Sequence, residues 1–341
     1  MKKHLLLFIL AGLITSAMYG QDLKYKEGDT AYYLIVKNTP EKTDFINLAL
    51  YPLVFNGLAR NPFTLAVGGK LSVFYKKFFL AGGANYTVLD NALADRKIDR
   101  STSYSFYSAS DKKNSYSYEI EGTYYFLDKI RDSYFRVHSD NKPKGATSDY
   151  KFKIPARERD LYGLRFGVNI QSQNIITELP FLYLYGYNKK DPDKVTDHKS
   201  LYDFDRANYT ANVLHIGLET MRVTDIEYYL DKTTQVQVSR IYKRIYADFL
   251  ISNNITYTDA KRNFFNNSKL DSSATYILDR DSPKLKYGFR LGYEIIGQMS
   301  RHTWNASAEV GSYPGPGRNF TDGLGLRIKL GIGISKRQKS I

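Results

Sequence analysis

Residues Leu324 to Ser335 read Leu-Gly-Leu-Arg-Ile-Lys-Leu-Gly-Ile-Gly-Ile-Ser. Every even-numbered position is aliphatic, and every odd-numbered one is small, polar or cationic. Successive side chains of a β-strand point to opposite faces. As a strand, this segment has one face of hydrocarbon and another that carries Arg327 and Lys329. That suits the wall of a barrel with lipid outside and a polar lumen inside.

The same period of two recurs along the chain. It predicts strands over 45–55, 63–75, 77–89, 101–109, 114–127, 160–172, 178–188, 208–222, 238–257, 284–297, 303–313 and 324–335. The expected fold is therefore all-β, an antiparallel up-and-down transmembrane β-barrel of about twelve strands, with ten to fourteen allowed. Segments 45–55 and 101–109 carry the weakest patterns, and 223–237 reads as a short helix or a missed strand pair. Most of these strands exceed the roughly five or six residues of soluble sheets and approach the roughly 9–11 that a tilted membrane strand needs. If the first strand runs outward, the connections at one end are 76, 110–113, 173–177, 223–237 and 298–302, mostly short. Those at the other end are 56–62, 90–100, 128–159, 189–207, 258–283 and 314–319, several of them long. Short turns at one end and long loops at the other are the habit of membrane barrels. The competing fold is a soluble exported β-sandwich, which also alternates.

The N-terminus reads as an export signal: Lys2 and Lys3, then an apolar run from Leu5 to Ile14, then small residues with cleavage expected after Gly20. Residues 21–44 are expected to form a polar periplasmic segment, 45–336 the barrel and 337–341 a short tail. Losing Lys2 and Lys3 with the signal lowers the formal charge from +14 to +12. In an exported protein this excess points to outer-membrane lipid and lipopolysaccharide, or another envelope protein, rather than nucleic acid. Cysteine is absent, which excludes disulfides, zinc–thiolate centres and thiol nucleophiles. Thirty tyrosines beside one tryptophan suit a membrane–water boundary, where an apolar ring and a wet hydroxyl are both satisfied.

With the signal, alternating strands, short turns and long loops taken together, the chain resembles Gram-negative outer-membrane β-barrel proteins over nearly its whole length. The resemblance is architectural and implies a cell outer-membrane location. It names no substrate. The inward faces of the predicted strands collect Lys70, Arg165, Arg240, Arg244, Arg290, Arg327 and Lys329 against Glu119, Glu121, Glu219, Asp248, Glu294 and Glu309. Buried charges need partners, so this near-balanced set is expected to pair and to occlude the lumen. Residues 128–159 are expected to form an outer loop rich in basic and aromatic side chains: Lys129, Arg131, Tyr134, Phe135, Arg136, Lys142, Lys144, Tyr150, Lys151, Phe152, Lys153 and Arg157. Gly311 to Gly317 has turn chemistry and reads as a tight outer loop.

Catalytic signals are weak. No G-x-S-x-G, H-E-x-x-H or paired-histidine spacing occurs. His215 shares a strand face with Glu219, four residues away, and reads as a satisfied lumen residue. No metal or cofactor is expected. The favoured function is a non-enzymatic barrel acting as a receptor, adhesion or assembly component through its outer loops or periplasmic face. The alternative is a narrow pore for small anionic solutes, and an outer-membrane hydrolase is the least favoured.

Overall fold

The structure is a computed structural model that describes residues 33–59, 61–90, 107–108, 115–139, 150–176, 185–188, 202–203, 206–230, 237–258, 260–266, 269–277, 283–299 and 302–337. The expected signal peptide, Lys142 and Lys144 lie outside them. Ten strands build a closed antiparallel barrel. They are β1 (Phe45–Leu58), β2 (Asn61–Tyr75), β3 (Phe78–Asp90), β4 (Tyr116–Ser139), β5 (Tyr150–Ile176), β6 (Arg206–Leu230), β7 (Gln237–Tyr257), β8 (Tyr287–Met299), β9 (His302–Ser312) and β10 (Leu324–Arg337). Each pairs with its neighbours in sequence. The Leu324–Ser335 stretch closes the ring, pairing with β9 on one side and with β1 on the other, from Gly325↔Leu58 to Arg337↔Phe45.

The alternation dictates the section of the wall. Exterior positions such as Leu50, Leu71, Leu80, Ile120, Phe166, Ile216, Phe289 and Ile332 are exposed, whereas Arg165, Glu219, Arg244 and Arg290 are buried. This inverts a soluble protein, and the apolar girdle requires hydrocarbon around it.

The barrel has ten strands, the low end of the expected ten to fourteen and two fewer than the twelve segments read from the alternation. β3 and β4 pair directly from Phe78↔Tyr124 to Tyr86↔Tyr116, which leaves no slot for 101–109. β5 and β6 pair from Arg206↔Ile176 to Thr224↔Glu158, which excludes 178–188. The described parts of those two segments, Tyr107–Ser108 and Tyr185–Asn188, instead join Ala260–Asn266, Lys269–Ile277 and Tyr202–Asp203 in a five-stranded sheet at the long-loop end.

Losing 101–109 also reverses the assignment of 128–159. The connection between β4 and β5 now falls at the turn end, with the Lys76–Lys77 turn, and not at the outer rim. The segment is not a loop either: β4 and β5 continue as a hairpin whose register runs out to Ser139↔Tyr150. Residues 223–237, read as a helix or a missed strand pair, are mostly the ends of β6 and β7. Strand Tyr33–Asn38 pairs with β6 from Tyr33↔Leu230 to Asn38↔Ile226, beyond the point where β5 leaves it. Ile154, Ala156, Ile226 and Tyr228, with Phe135 against them, form a small apolar core there. Arg131 and Arg222 each reach both Glu158 and Asp160 beside it. The protein thus has a built extension at its turn end.

An arginine placed on the girdle should be expelled by lipid. Ile216→Arg, at mid-wall between Phe166 and Phe249, is expected to lower unfolding stability in vesicles by about 2–4 kcal/mol. Urea titration against Ile216→Leu checks this.

Candidate functional site

The charged side chains expected inside the barrel are there, and spacing explains how the sheet delivers them. Residues two or four apart share a face. Arg244 and Asp248 on β7 run antiparallel to Arg290 and Glu294 on β8, so the register sets Arg244 opposite Glu294 and Asp248 opposite Arg290. The sign order along each strand makes both cross-strand pairs opposite in charge. Likewise Glu309 on β9 faces Arg327 on β10.

The pairing then crosses the lumen. Lys70 on β2 reaches Glu294 on β8 at 2.8 Å and Glu121 on β4 at 3.0 Å. Arg244 donates two bonds of 2.8 Å to Glu219, one of 3.2 Å to Glu121 and a short one to Glu294. Arg165 donates a short bond to Glu121 and lies 3.4 Å from Asp248. Arg290 meets Asp248 at 2.7 Å and Glu119 at 2.8 Å. Arg327 on β10 donates to Gln171 on β5 at 3.1 Å. β10 and β5 stand five places apart in a ring of ten, so this bond spans the full diameter. Aromatic faces take up the remaining guanidinium surface: Arg165 lies 3.6 Å from the Tyr246 ring centroid and Arg244 3.7 Å from that of Phe79. Tyr246 donates to Glu309 at 2.8 Å, and Tyr125 donates a short bond to Glu219.

Arg240 departs from the expected set. It sits near the turn end and is held by Asp225 at 2.7 Å and Glu227 at 2.9 Å. Without it the network holds six cations and six anions. Lys329 lines the same cavity as Glu119 and Glu309, and that cavity has about 20 Å³, the space of roughly one water. A second lumen cavity, bounded by Asn56, Thr64, Ser117 and Gln173, is equally small.

Two layers that the sequence reading missed flank the network. Toward the turn end, Phe45, Phe74, Phe79, Tyr125, Leu161, Met221, Tyr242 and Ile296 form a buried apolar plug with contributions from β1 through β8. Their signal was the break in alternation at strand ends, as in Phe78-Phe79-Leu80 and Tyr124-Tyr125-Phe126. Toward the long-loop end, the connection after β9 folds into the mouth instead of standing out as a tight outer loop. Tyr313 is buried, Arg327 lies 4.3 Å from its ring centroid, and Gln171 donates to the Pro314 carbonyl at 3.3 Å. Gly315 and Gly317 have φ of 149° and 148° there, so the glycine-turn reading holds while the outward placement does not.

His215 is buried, but neither ring nitrogen has a hydrogen-bond partner among the described residues, so the expectation of a satisfied histidine fails. Its ring occupies space left by Gly167, where a Cβ would come within 2.6 Å of it. Donor atoms of His215, Glu119 and Glu121 lie within 4.8 Å of one another. Both carboxylates already pair with guanidinium groups, so a divalent ion would add charge to a set already neutral. Of the expected basic and aromatic outer loop, Lys129, Arg131, Tyr134, Phe135, Lys153 and Arg157 lie on the turn-end hairpin, as do the backbones of Arg136, Tyr150, Lys151 and Phe152.

No protein-family model matches the chain, and no curated protein sequence matches it. Among solved structures, the outer membrane protein OmpT of Vibrio cholerae aligns over 90% of this chain and 99% of its own, at 7% identity and a TM-score of 0.16. An anion-selective porin from Comamonas acidovorans aligns over 90% of this chain and all of its own, at 6% identity and the same TM-score. Superpositions this loose carry nothing about function.

Arg244 is the hub of the network: removing it takes a guanidinium from three buried carboxylates and leaves Glu219 with only Thr123 and Tyr125 as hydrogen-bond donors among the described residues. Arg244→Met is expected to destabilise the barrel by about 3–5 kcal/mol. Adding Glu219→Gln should recover part of the loss, which equilibrium unfolding of the single and double variants in vesicles would check.

Proposed function

We propose that the protein is an outer-membrane barrel that does not conduct solutes and acts through its ends, as a receptor, adhesion or envelope-assembly component. The observation that carries this reading is the set of lumen-spanning contacts, with Arg327 bound to Gln171 across the full diameter and Lys70 to Glu294 nearly so. A selective pore concentrates one sign of charge around a water-filled path, whereas these cations and anions neutralise one another. The apolar plug and the infolded 313–317 segment add two further closures in series. An enzymatic role is not part of the reading, since among the described residues His215 has neither a nucleophile nor an orienting partner within reach of a hydrogen bond.

Between the two ends, the turn end is favoured for assembly. It carries the paired, partly buried extension, and its hairpin concentrates the basic and aromatic residues first read as an outer loop. The excess positive charge favours anionic lipid head groups and acidic protein surfaces nearby.

Reconstituted in planar bilayers, the folded protein is expected to give no stable open level above baseline. Reproducible single-channel steps from wild-type protein would contradict the reading and restore a narrow pore.

A further inference from the structure

The turn-end extension has two places where a strand edge would be left bare, and the chain treats them differently. Where β5 leaves β6 after Glu158↔Thr224, strand Tyr33–Asn38 takes over and pairs with β6. On the far side of the hairpin, nothing comparable happens among the described residues. β3 accompanies β4 only to Phe78↔Tyr124, and the Tyr125 N–H still donates to the Lys77 carbonyl at 2.8 Å. Beyond that point, Phe126–Ser139 pairs with β5 alone among the described residues.

The backbone groups that face outward can be identified. Tyr125 donates toward β3, and the register shift between Tyr125 and Leu127 marks Phe126 as the extra residue of a bulge. From Asp128 on, even-numbered residues therefore turn their N–H and C=O away from β5. Pro155 gives an independent check. It has no N–H and stands opposite Tyr134, which an antiparallel ladder tolerates where both members of the pair point away from each other. Tyr134 is even-numbered, as an outward-facing position on this strand must be.

Natural proteins blunt exposed edges with proline, bulges, short strands or runs of lysine. Phe126–Ser139 has its one bulge at the root, no proline and fourteen residues of length. Phe126, Leu127, Ile130 and Tyr134 are exposed along it, Tyr134 at 66%. The two arms 126–139 and 150–160 carry seven Lys and Arg against four Asp and Glu. Apolar side chains interleaved with excess cations suit an incoming strand that alternates apolar and acidic residues.

We propose that the free edge of this hairpin accepts an extended, acidic strand of another protein, which continues the β4–β5 ladder at the turn end. The proposal rests on the reading that the protein acts through this end. Conductance tests the closed lumen separately, so either can fail alone.

The test uses the full chain in detergent micelles and a synthetic eleven-residue peptide antiparallel to 128–138. The peptide has valine opposite Ile130 and Tyr134 and glutamate opposite Lys129 and Arg131. The expected result is saturable binding by fluorescence anisotropy, with amide exchange of 128–138 slowed at least tenfold. Replacing the glutamates by lysine, or N-methylating the bonding amides of the peptide, should weaken binding at least tenfold. Ile130→Pro removes one outward N–H while leaving the ladder to β5 intact, and should do the same in protein that still shifts mobility on boiling. The proposal is overturned if the peptide gives no protection, or if binding is indifferent to both N-methylation and Ile130→Pro. It is equally overturned if the segment is already protected without peptide. Protection lost on dilution would assign the edge to a second copy, and protection independent of concentration would assign it to the chain's own residues.

Discussion

The constraint on which the structure turns is the cost of an unpaired charge inside a low-dielectric wall. A guanidinium or carboxylate removed from water is tolerated only with a counter-charge and hydrogen bonds in good geometry. Six cations and six anions on eight of the ten strands occupy the lumen, and Lys70, Arg165, Arg244 and Arg290 meet that demand by reaching carboxylates on other strands. Arginine suits the task because its planar fork serves two or three carboxylates at once and its face stacks on tyrosine. Arg244 serves three and Arg165 lies over Tyr246. The large inward side chains need relief in the adjacent strand, and glycine provides it, as Gly292 does directly opposite Tyr246. A Cβ on Gly292 would come within 2.1 Å of the Tyr246 ring. The same interactions that hold the ten strands in register therefore hold the barrel shut.

The barrel was legible in the sequence because its signal is local. Alternation in Leu324–Ser335, or in 160–172, assigns each side chain to lipid or lumen without knowledge of any partner strand. The charge set followed from the same rule and fails only at Arg240, which obeys the parity but sits near the turn end with its own acidic partners. Strand number was less legible. Segment 178–188 alternates as well as true wall strands do, and 101–109 no worse than 45–55, which is one; membership is decided by long-range pairing, and β3 already pairs with β4 and β5 with β6. One surplus strand then reversed the parity of the next connection, which put the basic hairpin at the wrong end. The plug and the infolded mouth were hidden for a different reason. An inward aromatic such as Phe79 interrupts the alternation, and a single-sequence reading discounts such a break as noise.

The two ends are built to different rules. At the long-loop end, the connections pair with one another in a separate sheet, while 313–317 turns inward against Gln171 and Arg327. At the turn end, β4 to β7 outgrow the wall, reaching 27 residues in β5 against 11 in β9. Length beyond what a membrane crossing needs carries a conformational cost, and a small core around Ile154 and Ile226 offsets it. The filled lumen and the elaborated turn end are the two features on which the proposed action through the ends of the barrel rests.

The absence of cysteine makes the central claim open to direct measurement, because a single introduced thiol is the only one in the protein. Thr123, buried in the lumen and bonded to Glu219 at 3.0 Å, is close in shape to cysteine. In Thr123→Cys protein folded in vesicles, a small charged methanethiosulfonate should leave the thiol unmodified until denaturant unfolds the barrel. Prompt modification of the folded protein would mean that water and ions pass where the charge network is placed, and the closed lumen would be wrong.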